Sequence, residues 1–143
     1  MSAVVRELTI AAAPERVWRT LTEPDEIGHW WTNDLNATPE VGSLAEFCFG
    51  EWGDFVLRFE VAELEPDEKV HWIHKRSPVA QWAGSSITWQ LTPVRNGTRL
   101  VFAHEGFAQV DEQYEWTYVW WEHFLASLKF YLETGKGTPG LPP

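Results

Sequence analysis

Between residues 45 and 104, five stretches repeat apolar and aromatic side chains with a period of two. Ala45, Phe47 and Phe49 alternate with Glu46 and Cys48, and Phe55, Leu57, Phe59 and Val61 with Val56, Arg58 and Glu60. Val70, Trp72 and His74 follow, then Ile87, Trp89 and Leu91, then Leu100, Phe102 and His104, each set interleaved with its neighbours. A strand places every second side chain on one face, so each stretch reads as a strand with an aromatic-rich side. The connections Glu51-Trp52-Gly53-Asp54, Glu65-Pro66-Asp67-Glu68 and Arg95-Asn96-Gly97 are turn-like, and Asn-Gly is a strong hairpin signal. Consecutive strands with short loops make an antiparallel sheet.

The flanking segments say what covers the aromatic face. Val4 to Ala12 alternates as a further strand, with Arg6 interrupting its apolar side. Pro14 opens a helix carrying Val17, Trp18 and Leu21, and Pro24 opens a second short one. Thr22 stands three residues before Asp25, the spacing of a capping box. Ile27, Trp30 and Trp31 share one helical face, and Asn33 to Gly42 reads as a polar loop. A long helix from about Glu112 to Thr134 carries Trp121, Leu125, Leu128 and Leu132 at helical spacing, with Trp120, Phe124 and Tyr131 beside them. Gly135 and Gly137 stop it. The expected fold is α+β: a curved six-stranded antiparallel sheet wrapped around a long C-terminal helix, with two short helices after the first strand. Residues 1–137 form a single domain on this reading, and 138–143 a short proline-rich tail.

Composition narrows the function. Ten tryptophans in 143 residues supply far more indole than a core of this size ordinarily holds, and cores and ligand pockets draw on the same residue types. The net charge of −10 disfavours nucleic acid and anionic membranes. The basic residues are scattered, with only Lys75 and Arg76 adjacent. Cys48 is the lone cysteine, so no disulfide can form within the chain and a strand cysteine of this kind reads as inert packing. No signal peptide and no apolar run of membrane-spanning length stands out, which makes a reduced, cytoplasmic setting the default.

The residues Ala13-Pro14-Glu15-Arg16-Val17-Trp18, Leu21-Thr22-Glu23-Pro24 and Trp30-Trp31 resemble the opening of the SRPBCC (START-like, helix-grip) superfamily. The chain is most similar to the branch related to the activator of heat-shock protein 90 ATPase. Leu91-Thr92-Pro93, Gly97-Thr98-Arg99-Leu100 and His104-Glu105-Gly106-Phe107 look like that branch's final hairpin. Trp121, Leu125, Leu128, Tyr131-Leu132-Glu133 and Gly135-Lys136-Gly137 look like its closing helix. Where that branch often has a small glycine before the tryptophan, this chain has Trp120, whose bulk narrows the interior. The resemblance implies a helix-grip fold with an internal hydrophobic cavity; relatives bind lipids, polyketides or flavonoid-like compounds, and some cyclise polyketides.

Side chains that point inward would line such a cavity: Phe47, Phe49, Leu57, Phe59, Trp72, His74, Trp89 and His104 from the sheet, with Trp120, Phe124 and Leu128 from the helix. His71 and His74 point to opposite faces of one strand and cannot chelate one ion. His74 and His104 lie two strand spacings apart, roughly 10 Å, too far to share a metal directly but able to hydrogen-bond one polar ligand. His29 and His123 are expected to be partly exposed. Neither a metal site nor a cofactor is expected. No Gly-x-Ser-x-Gly element occurs, and Gly135-Lys136-Gly137-Thr138 follows a helix instead of opening one, so it does not cradle phosphate. Glu51, beside Trp52 and Phe55, is a candidate proton donor. The reading favours a binding module for a small hydrophobic, aromatic ligand over an enzyme. A polyketide cyclase or aromatase using His74, His104 or Glu51, and a chaperone-contacting module, remain the alternatives; homodimerisation stays open.

Overall fold

The computed structural model describes residues 3–49, 55–76, 82, 84–106 and 112–139, with the side chains of residue 76 and of 112–115 excepted. Its elements run β1 (Ala3–Ile10), α1 (Pro14–Thr22), α2 (Pro24–Ile27), β2 (Leu35–Asn36), β3 (Leu44–Cys48), β4 (Val56–Glu65), β5 (Lys69–Arg76), β6 (Ser86–Val94), β7 (Gly97–Glu105) and α3 (Glu112–Thr134). The strands form one antiparallel sheet in the order β1-β7-β6-β5-β4-β3-β2. This is the expected α+β helix-grip architecture with seven strands rather than six. The extra strand, β2, lies inside the segment read as loop. Its two residues pair with Phe47 and Glu46 of β3, and two residues are too few to display a period.

The inward alternation holds on every long strand. Ala45, Phe47 and Phe49, Leu57, Phe59 and Val61, Val70, Trp72 and His74, Ile87, Trp89 and Leu91, and Leu100, Phe102 and His104 are all buried. Phe55, and Leu8 on β1, are partly buried members of the expected inward set. Registers pair like with like across the sheet: Phe47 opposes Leu57, Val61 opposes Trp72, Trp89 opposes Phe102, and Leu91 opposes Leu100. The β6–β7 turn depends on backbone freedom at two positions. Asn96 sits at φ 67°, a region asparagine tolerates. A Cβ on Gly97 would lie 2.2 Å from the Ile10 carbonyl oxygen, so only glycine lets the hairpin tuck against the end of β1.

The short helices close one end of the sheet. Pro14 and Pro24 stand in the first turns of α1 and α2, but no side chain caps either helix. Thr22 does not make the expected capping box; its hydroxyl donates back to the Trp18 carbonyl at 3.0 Å. A threonine already inside α1 has that carbonyl within reach, which competes with a cap. Trp18 Nε1 reaches the Lys69 carbonyl at 3.1 Å, and Trp30 Nε1 the Thr20 carbonyl at 2.9 Å. A second tie joins all three helices: Arg16 pairs with Glu26, and Tyr131 donates to Glu26. Those contacts outweigh the desolvation of the Glu26 carboxyl and hold its pKa low, while burial pushes the Tyr131 hydroxyl up.

The long helix α3 buries Trp120, Trp121, Phe124, Leu125 and Leu128 against the sheet. Arg6, which interrupts the apolar side of β1, is used by the helix: its guanidinium meets Glu122 and the Tyr118 hydroxyl. Leu128 is fully buried. Leu128→Ala is expected to cost about 2–5 kcal/mol, from lost burial plus the cavity left behind. Urea melts of the two proteins measure it, and a loss below about 0.5 kcal/mol is incompatible with α3 gripping the sheet.

Candidate functional site: an aromatic interior with an unpartnered imidazole

All eleven of the expected lining residues fall in one buried region. Phe47, Phe49, Leu57, Phe59, Trp72, His74, Trp89, His104, Trp120, Phe124 and Leu128 are each no more than 3% exposed. Sequence reasoning missed their hub. Trp31, from the turn after α2, stacks on Trp72 with ring centroids 6.0 Å apart and planes 3° apart. It also meets Phe47 at 4.4 Å, Trp121 at 5.5 Å and Phe124 at 6.3 Å. Trp82 was missed as well. It stands alone before Gly84, with no periodicity to flag it, yet it is fully buried against His74, His104 and Trp120.

Where these described rings meet, they do so at contact distance. An apolar nook of about 10 Å³ lies beside Phe47, Val61 and Trp72, no more than one small water needs. A larger cleft of about 730 Å³ lies elsewhere, along Asp25, His29, Asn33, Leu35 and Lys136. It shares no residue with the expected lining. Glu51, the candidate proton donor, lies outside the described residues together with Trp52.

The two buried histidines are closer than strand counting suggests. Their ring centroids are 6.2 Å apart, against the roughly 10 Å expected from two strand spacings. Ser85, just before β6, bonds to both residues. The His74 amide donates to the Ser85 carbonyl at 2.9 Å, and the Ser85 hydroxyl lies 2.8 Å from His104 Nε2.

Their chemistry differs. Trp121 Nε1 donates to His104 Nδ1 at 3.0 Å. An indole N–H can only donate, so Nδ1 carries the lone pair and the neutral ring's proton is on Nε2. Nε2–H then donates to the Ser85 oxygen, whose own proton goes to the Trp82 carbonyl at 2.5 Å. The chain of donors runs away from His104, so His104 cannot accept the Ser85 proton, and the pair is not a nucleophile and its base. Burial, and then the neighbouring His74, holds the His104 pKa well below its ordinary value.

His74 stacks on Phe59 with centroids 4.0 Å apart and lies 5.3 Å from Trp82. It is 1% exposed, and neither ring nitrogen has a hydrogen-bond partner among the described residues. Burial alone pushes its pKa down to about 3. The indole nitrogens of Trp31 and Trp89, and Nε2 of His123, are likewise buried without a partner among the described residues. His29 is exposed and stacks on Tyr131 at 5.0 Å; His123 is half-buried. His71 faces outward from His74 and pairs with Glu63 at 3.2 Å. Burial, with the Asp34 and Glu46 carboxylates, raises the Cys48 thiol, which leaves it a poor nucleophile. Among the described residues no group of three or more metal-ligating side chains gathers. No described helix is long and apolar enough to cross a membrane.

The histidines set an acid response. The unfolded chain binds protons at histidine near pH 6.5, whereas folded His74 resists protonation down to about pH 3. Stability is therefore expected to be full above about pH 6.5 and to fall by a few kcal/mol as the pH drops from there toward 3. Urea midpoints across that range measure the fall, and His74→Phe should flatten part of it.

The comparisons with known proteins agree with this architecture. A family model described as "Activator of Hsp90 ATPase homolog 1-like protein" matches residues 11–133. Among solved structures, the Aha1 dimer from Colwellia psychrerythraea is 34% identical, with a TM-score of 0.86 over 96% of this chain and 100% of that one. Protein MLL2253 from Mesorhizobium loti is 29% identical, with a TM-score of 0.78 over 90% of this chain and 94% of that one. CalU16 from Micromonospora echinospora, at 19% identity and a TM-score of 0.74 over 95% of this chain and 76% of that one, shares the fold. No curated protein matches the sequence at a comparable level.

Proposed function

We propose a function that starts from family membership: the chain belongs to the Activator of Hsp90 ATPase homolog 1-like protein family, and its role within that family is to bind a small aromatic molecule. The site is the interior between the sheet and α3, with Phe59, Trp72, Trp89, Trp120 and Phe124 as walls. His74 is its free polar group.

One observation carries this reading. His74 is buried among rings, and neither of its nitrogens has a partner among the described residues. An unsatisfied buried polar group costs roughly 1–3 kcal/mol. A phenylalanine in its place would fill similar space without that cost. A side chain that weakens the fold and gains no bond within it is accounted for by a partner arriving from outside. The described rings already touch, so a guest enters by displacing them, and micromolar affinity is the expectation, about −8 kcal/mol. The cyclase alternative needs a group that moves protons near neutral pH. His74 stays neutral there, with a pKa of about 3, and His104 is committed to Trp121 and Ser85.

The test is His74→Phe, measured for stability and for binding of flavone by calorimetry. The expected result is a protein more stable by about 1 kcal/mol or more that binds flavone at least tenfold more weakly. A variant that loses stability, or binds flavone unchanged, contradicts the assignment.

The surface supports a second reading, self-association. On the outer side of α3, Tyr118, Val119 and Phe130 are exposed, with Ala126 between them, and the Colwellia relative is described as a dimer. Sedimentation of the wild type is expected to show a dimer, and Val119→Asp to shift it toward monomer.

A further inference from the structure

The large cleft beside α2 is built by the segment that follows α3. Gly135, at φ 85°, turns the chain out of the helix. The Lys136 amide donates to the Thr134 hydroxyl at 3.3 Å, and the Thr138 amide to the Ser127 hydroxyl at 2.8 Å. Ser127 in turn donates to the Trp30 carbonyl at 2.8 Å. A Cβ on Gly137 would lie 2.1 Å from the His29 carbonyl oxygen, so glycine lets the segment rest directly on the turn after α2. Lys136 and His29 are thereby held on one cleft of about 730 Å³, with Asp25, Asn33 and Leu35 among its other walls. Small-molecule sites span roughly 300–1,000 Å³.

The charges of this cleft are unmatched within the protein. Carboxylates outnumber basic side chains by 21 to 11, and basic residues along the chain pair with them, as Arg6 does with Glu122, Lys75 with Glu60 and Lys129 with Glu133. Among the described side chains, Arg95 and Lys136 have no such partner. Arg95 stands at the tip of the β6–β7 turn, whereas Lys136 borders a cleft that also holds the Asp25 carboxylate. Asp25 and Lys136 are both exposed and form no ion pair with each other. The cleft therefore presents one negative and one positive group held apart. The His29 ring, kept in place by stacking on Tyr131 with planes 7° apart, adds a flat wall. A simple anion would meet Lys136 but also the Asp25 charge, and a simple cation the reverse. A molecule carrying both charges matches both.

We propose that this cleft binds a small zwitterion of the short-peptide class, with Asp25 taking its ammonium group, Lys136 its carboxylate and the His29 ring an apolar side chain. The Asn33 carboxamide can donate or accept at either end of such a guest. The site shares no residue with the aromatic interior and stands independently of the ligand-binding reading above.

The probe is the dipeptide glycyl-phenylalanine. It is compared with its N-acetyl form, which lacks the ammonium group, and its C-terminal amide, which lacks the carboxylate. Each is titrated into the full chain by calorimetry and followed through the backbone amide signals of 15N-labelled lysine. Lys136→Gln assigns the Lys136 signal by its disappearance. The free dipeptide is expected to bind about tenfold more tightly than either modified form. It should move the Lys136 signal, while those of Lys69 and Lys75 hold still. Lys136→Gln should weaken the free dipeptide about tenfold and leave the amide form within about twofold. Asp25→Asn should weaken the free dipeptide alike and spare the N-acetyl form. Both side chains are exposed, so the variants should melt near the wild-type temperature. Equal affinity for the three forms overturns the charge pairing. Binding that leaves the Lys136 signal fixed overturns the cleft as the site. So does loss of dipeptide binding in His74→Phe, which locates the guest in the interior. Binding of none of the three overturns the proposal and leaves the reading of the interior as it was.

Discussion

The indole of Trp31 ties three layers of this protein into one. It enters from the turn after α2, lies flat on Trp72 of the sheet, and meets Trp121 and Phe124 of the closing helix. Sheets and helices hold their own backbones together, and side-chain bonds such as Trp121 to His104 and Trp18 to the Lys69 carbonyl join the layers at single points. The broad contact between layers is apolar area removed from water, on the order of 25 cal/mol per Å². A residue that contributes such area to all three layers sets their spacing. Trp30, next in the chain, points its N–H back at α1 and its ring toward Trp89. The two adjacent tryptophans pin the small helices from inside, while the Arg16, Glu26 and Tyr131 contacts bind them to α3 nearer the surface.

Against that apolar background, polar groups in the core stand out by whether they are satisfied. Ser85, His104 and Trp121 form a closed chain of donors and acceptors and add specificity to the packing at no evident cost. His74 is different in kind. Its imidazole lies beside that chain, and neither ring nitrogen bonds to it. The contrast separates a histidine that serves the structure from one that does not, and burial or residue type alone does not make that distinction.

Most of the fold was legible because strand alternation is a local signal. Phe59 and Trp89 each declare their face by the polar residues on either side. Where a residue stood outside a period, the sequence was silent. Trp82 occupies a connection and announces nothing, yet it closes the ring of aromatics around both histidines. Leu35 and Asn36 form a strand too short to repeat. Thr22 had the spacing of a cap but found the Trp18 carbonyl nearer. The closeness of His74 to His104 is a fact about strands far apart in sequence that no single stretch encodes. Satisfaction of hydrogen bonds is also a property of the assembled core, so the distinction between the two histidines could not be read before the fold was known.

The stacking of the tryptophans has an optical consequence. Trp30, Trp31 and Trp72 form a nearly parallel pile, with centroids 5.8 Å and 6.0 Å apart along it. Trp89 and Trp121 adjoin it at 5.7 Å and 5.5 Å, and Trp82, Trp116 and Trp120 form a second group with separations of 5.1 to 5.9 Å. Indoles this near exchange excitation faster than they emit. The interior absorbs and radiates as a shared chromophore, and a quencher touching any one member darkens its neighbours as well. Near-ultraviolet circular dichroism should then carry exciton bands that report the geometry of the pile as a whole. The same density of rings that hides each residue from ordinary emission makes the collective spectrum a sensitive gauge of whether the layers remain in register.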